Sequence, residues 1–148
     1  MEQALRARIA ELHLEGCVTL TGGLPHEEVL RRMAQSDLFV LPSWGEGYGI
    51  VYIEAMAAGC IAVGAENEGI ADTITDGENG FLVPAADTDA VEAVMRAVFA
   101  HPEAYEALRA RGTRDARELT WAHNAEITAG VYREAIEHWR KEHAQAGH

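Results

Sequence analysis

Apolar positions along this chain follow two different periods. Leu5, Ile9 and Leu12 recur at helical spacing and Gly16 follows as a stop signal, which predicts an opening helix of roughly three to four turns. Val18 to Thr21 is short, rich in β-formers and closed by Gly22 and Gly23, and predicts a strand. Pro25 begins a second helical pattern carrying Val29, Leu30 and Met33. The continuous apolar run Leu38, Phe39, Val40, Leu41 has the character of a parallel strand buried on both faces, and Pro42 ends it.

Ser43 to Gly49 is a glycine-rich loop, followed by a helix from Ile50 to Ala58 that Gly59 terminates and a strand from Ile61 to Gly64. Asp76 and Gly77 mark a turn before a last strand, Gly80 to Val83. Beyond it Asp87 caps a helix with Val91, Val94, Met95, Val98 and Phe99 on one face. Pro102 starts another, bearing Tyr105 and Leu108, and Thr120 caps a final helix with Ile127, Val131, Ile136 and Trp139. Strands alternate with helices and then give way to helices alone, the pattern of an open α/β parallel sheet with a C-terminal helical tail. The 148 residues suit one domain, with a core at about 16–100 and the tail at about 101–140.

Charge narrows the partners. A net charge of −12 argues against nucleic acid or an anionic membrane as a ligand, since both require a basic field. The opening segment carries Arg6, Arg8, Glu11 and Glu15, so it lacks the apolar stretch of a signal peptide, and nothing later reads as a membrane span; a cytoplasmic protein is expected. Cys17 and Cys60 read as reduced core residues. His138 and His143 lack helical ligand spacing and no Cys/His cluster has zinc spacing, so no metal is expected.

The segment with chemical content is PSWGEGYGIVYIEAMAAG, residues 42 to 59. A buried strand leads through a glycine-rich loop into a helix, and open α/β sheets bind ligands beyond the carboxyl ends of their strands. Gly45, Gly47 and Gly49 leave the backbone bare, and the amides of Gly49, Ile50 and Val51 are donors suited to a phosphate at a helix N-terminus. Glu46 in the loop and Glu54 about one turn into the helix bracket that position. A carboxylate suits vicinal hydroxyls, so one would hold a transferred sugar and the other a ribose. Trp44, Tyr48 and Tyr52 lie beside the loop, where an aromatic either packs or stacks on a base or sugar.

Taken together these residues resemble the donor signature of glycosyltransferase family 4, P-S-x-x-E-G-x-G-x-x-x-x-E-A-M-A-x-G, with every specified position met. The resemblance extends to the approach GLPHEEVLRRMAQSDLFVLPS, to the turn and strand DGENGFLVP, and to Thr120, Trp121 and Tyr132 in the tail. It implies the Rossmann-like C-terminal half of a GT-B fold with its first strands missing. By this likeness Glu46 is catalytic and contacts the donor sugar, Glu54 holds the nucleotide ribose, and Gly47, Tyr48, Gly49, Ile50 and Val51 line the donor. Transfer would be retaining and independent of cofactor and metal.

The resemblance also implies what lies elsewhere. An acceptor-binding domain, and an early part of the donor domain with an Arg and a Lys for the diphosphate, have no counterpart in these residues, so the chain alone is expected to be inactive. Two strands would belong between Val18–Thr21 and Leu38–Leu41, leaving a gap that the chain closes by rearrangement or fills with another copy or a partner chain, since exposed strand edges invite pairing, or that marks it as a piece of a longer gene product. Ile61 stands where the family commonly has Pro, and Glu68 with Gly69 where it has two glycines, so the Glu68 carboxylate would repel a diphosphate or alter donor choice, or stand as a solvated loop acid. Asp72 lies near the family's usual acidic position. The alternative readings are a non-catalytic nucleotide-sugar-binding module or inactive remnant, and an adaptor domain that leaves the glycine-rich loop unexplained.

Overall fold

The computed structural model describes residues 1–42, 45, 47 and 49–145, the last two as backbone alone. Three parallel strands, β1 (Leu38–Val40), β2 (Ile61–Ala65) and β3 (Phe81–Val83), lie in that order. The register runs from Leu38 opposite Ile61 to Val40 opposite Val63, and from Val63 opposite Phe81 to Ala65 opposite Val83. All of β2 is buried, as a central strand covered on both faces requires. Its alternate residues face different helices. Ala62 packs with Tyr52 and Met56, whereas Ile61 packs with Val98 and Leu108.

The helices are α1 (Glu2–Glu11), α2 (His26–Met33), α3 (Ile50–Ala58), α4 (Thr88–Ala100), α5 (Glu106–Glu118) and α6 (Trp121–Gln145). Both ends of α3 fall where the glycines predict: Gly49 and Gly59 flank it in left-handed conformation, φ 71 and φ 103. Asp87 caps α4 by accepting from the Ala90 amide at 2.9 Å, and the Thr120 hydroxyl accepts from the His123 amide at 3.2 Å at the head of α6.

Several contacts lock α3 to the sheet. Tyr52 is fully buried, meets Phe39 edge-on at 5.4 Å, and its hydroxyl donates to the Leu41 carbonyl just past β1. Arg117 of α5 donates to the Ala57 carbonyl at 3.1 Å, placing a cation at the negative end of α3. Buried Asn79 ties the loop before β3 to α5: its amide nitrogen donates to Asp115 Oδ2 at 3.0 Å, while its oxygen accepts from the Thr75 amide at 2.8 Å.

Three expectations need correction. Val18–Thr21 forms no ladder. Apolar β-formers become a strand only beside a partner edge; here Thr21 and Gly22 instead line, with Leu24, Leu38 and Phe39, an open recess of about 280 Å³ beside β1. Cys17 is exposed and only Cys60 is in the core, where burial pushes its thiol pKa up. The opening helix stops at Glu11, and α1 buries no residue, leaving Leu5 and Leu12 exposed. On α6, Ile127, Val131, Ile136 and Trp139 are likewise exposed, although Ile127, Val131 and Trp139 fall on one stripe of the helix.

The two outer edges of the sheet differ. Leu41 N donates to Val63 O and Ile61 N to Asp37 O, so the odd residues of β1 face β2 and the backbone groups of Leu38 and Val40 face outward. At the other edge, the Leu82 amide donates to Asp76 Oδ1 at 2.9 Å. A side chain thus blunts β3.

Candidate functional site

The site is the end of β1 and the entry to α3. Tyr52 fixes their relation from below, one turn inside the helix. Gly49 is held by space as well as by dihedral angle: a Cβ there would stand 2.9 Å from Tyr52 Cδ2 and 3.3 Å from Ile70 Cβ. Gly64 has the same role from β2, since a Cβ would meet Ile70 Cγ2 at 2.8 Å. These close packings seat the buried Ile70 against Gly49 at the helix entry. Tyr52 N donates to Gly49 O at 3.0 Å, and the amides of Ile50 and Val51 have no partner among the described residues. Two such donors at the positive end of a helix can accept an anion.

Glu54 lies in the second turn of α3, about 6 Å along the axis from Ile50. Its carboxylate is mostly covered, and His26 Nε2 at the head of α2 stands 3.4 Å from its Oε1. Among the described residues this imidazole is the charged or ionisable partner Glu54 has. The helix amides and, one turn on, the Glu54 carboxylate with the His26 imidazole beside it therefore make up the N-terminal face of α3. Such a face can accept hydrogen bonds from hydroxyls at one end and donate them to an anion at the other.

Glu68 contributes a contact that neither sequence reading anticipates. Its Oε2 accepts from the Gly45 amide at 3.0 Å, joining the loop after β2 to the glycine-rich loop. Neighbouring Asn67 has φ 63, and Gly69–Asp72 forms a 3-10 turn that seats Ile70. Tyr52 is a packing residue. A Cβ on Gly47 would meet nothing within 4 Å among the described residues. Glu46 and Tyr48, and with them Trp44 and Ser43, lie outside the described residues.

Beside the helix entry, Ile50 and Ile53 face Leu119, Trp121, His123 and Ile127 across a mainly apolar recess of about 460 Å³. The start of α6 is thus adjacent to the site, a proximity that no motif in the tail reveals. Among the described residues no helix is long and apolar enough to cross a membrane.

The family model described as glycosyl transferases group 1 matches residues 1–115. Over 101 residues the chain is 37% identical to the amylovoran biosynthesis glycosyltransferase AmsK of Erwinia amylovora, covering 64% of this chain and 25% of that protein. The sucrose-phosphate synthase structure from Thermosynechococcus elongatus superposes with a TM-score of 0.77 at 27% identity, over 91% of this chain and 34% of that one. HepE of Anabaena, solved in complex with UDP-glucose, shares the fold with a TM-score of 0.76 at 22% identity, over 88% of this chain and 36% of that one. The chain spans about a quarter to a third of the length of the curated relatives it matches.

Proposed function

Because this chain belongs to the glycosyl transferases group 1 family, we propose that it is the nucleotide-sugar-binding part of a retaining glycosyltransferase of GT-B fold. It serves a transfer from a nucleoside-diphosphate donor to an acceptor held by another part of the enzyme. The observation that carries this reading is the combination at α3: helix amides at Ile50 and Val51 with no partner among the described residues, and the covered Glu54 carboxylate one turn below. The amides receive the diphosphate and stabilise its charge as it leaves. Glu54 accepts from the ribose hydroxyls, and Glu46 with Gly47, Tyr48 and Gly49 borders the transferred sugar. A sugar departing through an oxocarbenium-like transition state needs that leaving-group stabilisation more than it needs a metal, and transfer independent of metal is expected.

Alone, the chain binds donor without turning it over. The partner of Glu54 is an imidazole, while Arg31 and Arg32 pair with Glu28, Arg109 with Asp37, and Arg117 with Ala57 O, so these guanidinium groups are engaged away from α3's amides. This favours a donor-binding role for the isolated chain. Ligand-detected NMR with UDP-glucose, GDP-mannose and ADP-glucose tests the proposal. Saturation transfer onto both ribose and sugar protons of at least one donor is expected; no transfer to any of the three at millimolar concentration contradicts it.

A further inference from the structure

We infer that His26 is a positioning residue for Glu54, holding one carboxylate oxygen so that the other stays aimed at the hydroxyls of a bound nucleotide. The inference rests on reading α3 as a nucleotide-sugar site. His26 opens α2 directly after Pro25, whose φ of −57 presets the helix entry. Val29, Leu30 and Met33 of α2 pack with Ala55 of α3. That apolar seam delivers the imidazole to Glu54, with Nε2 3.4 Å from Oε1. The seam does not include His26, so removing the ring leaves the packing in place.

The two groups differ in exposure: the Glu54 side chain is 28% exposed and the His26 side chain 67%. A glutamate carries substantial rotamer freedom, and a ligand that must order it binds less tightly than one that finds it ordered. Among the described residues His26 is the side chain that makes an ion-pair contact with Glu54, so its ordering falls to His26. Protonated, the imidazole pairs with the carboxylate as an ion pair, and that is the state in which it orders Glu54. The carboxylate oxygen that faces His26 keeps acceptor capacity, and its twin remains for the ligand. The expected signature is therefore narrow. His26 matters for ligands that present a ribose hydroxyl to Glu54 and not for those that lack it.

The test is titration of the 148-residue chain, with His26→Ala and His26→Gln alongside, against UDP, GDP and their 2′-deoxy counterparts. The unsubstituted chain should prefer the ribonucleotide over its deoxy form by roughly tenfold, the size of a hydrogen bond to a charged acceptor. In His26→Ala that preference should narrow to about threefold or less, chiefly through weaker ribonucleotide binding. His26→Gln keeps a polar N–H without the charge and should recover only part of the preference. A His26→Ala variant that discriminates as sharply as the unsubstituted chain overturns the positioning role and leaves the donor site standing. An unsubstituted chain that binds none of the four, or does not discriminate, overturns the site and the inference with it.

Discussion

Replacing Gly49 by alanine probes the geometry on which the whole site depends. Gly49 enters α3 with φ 71 and ψ 40, a left-handed conformation that costs a residue bearing a Cβ about 1 to 2 kcal/mol. The added methyl would also stand 2.9 Å from Tyr52 Cδ2 and 3.3 Å from Ile70 Cβ. Neither neighbour can retreat easily, because both are fully buried and the Tyr52 hydroxyl is tied to Leu41. Overpacking of this kind adds roughly 1 to 3 kcal/mol, so Gly49→Ala should destabilise by about 2 to 5 kcal/mol in all. For a chain of this size the melting temperature falls by roughly 4 to 20 °C. Two other loop glycines supply internal controls. Gly45 has φ 73 but a Cβ there would meet nothing within 4 Å among the described residues, so alanine meets only the backbone cost of about 1 to 2 kcal/mol. Gly47 has no positive φ, a Cβ there would meet nothing within 4 Å among the described residues, and its substitution should be nearly neutral. Urea unfolding followed by circular dichroism should rank the losses Gly49, Gly45, Gly47. A Gly47→Ala variant as unstable as Gly49→Ala, or a Gly49→Ala variant that unfolds with the parent, refutes the reasoning.

Two further outcomes follow from the same structure. Glu68→Gln keeps an acceptor for the Gly45 amide while removing the charge, so stability should hold within about 0.5 kcal/mol and UDP or GDP should bind about two- to threefold more tightly; weaker binding would show that the charge itself serves the site. Thiol labelling should modify exposed Cys17 in the native chain and Cys60 only on unfolding, with equal native rates counting against the burial assigned to Cys60. Burial raises the folded-state pKa of Cys60, so the stability it contributes is complete below the ordinary thiol pKa and is lost as pH rises through the raised value.

Local signals carried the elements that local chemistry decides. The run Ile50–Ala58 is helix because Gly49 and Gly59 supply left-handed turns at both ends, and glycines at such positions are visible in any sequence. Asp87 and Thr120 cap the helices they precede for the same reason. Val18–Thr21 went the other way: its β-formers are legible, but the edge it would need is a property of the assembled sheet. Helical spacing also placed Ile127, Val131 and Trp139 on one stripe of α6 without telling whether anything covers it.

In the site, the amide donors and Glu54 follow from spacing along one helix. His26 and Glu68 do not. The first reaches Glu54 through the packing of α2 on α3, and the second bonds a backbone amide, a partner that every residue offers and no motif marks. Arg117 on the Ala57 carbonyl is hidden in the same way.

The central claim is a nucleotide-diphosphate site built on α3, and calorimetric titration of the chain and its Glu54→Gln variant with UDP, GDP and ADP tests it most directly. Saturable binding of at least one nucleotide, weakened about tenfold or more in the variant while the melting temperature is unchanged, is the predicted result. Equal affinity in the two proteins, or no heat with any nucleotide at millimolar concentration, would contradict the account.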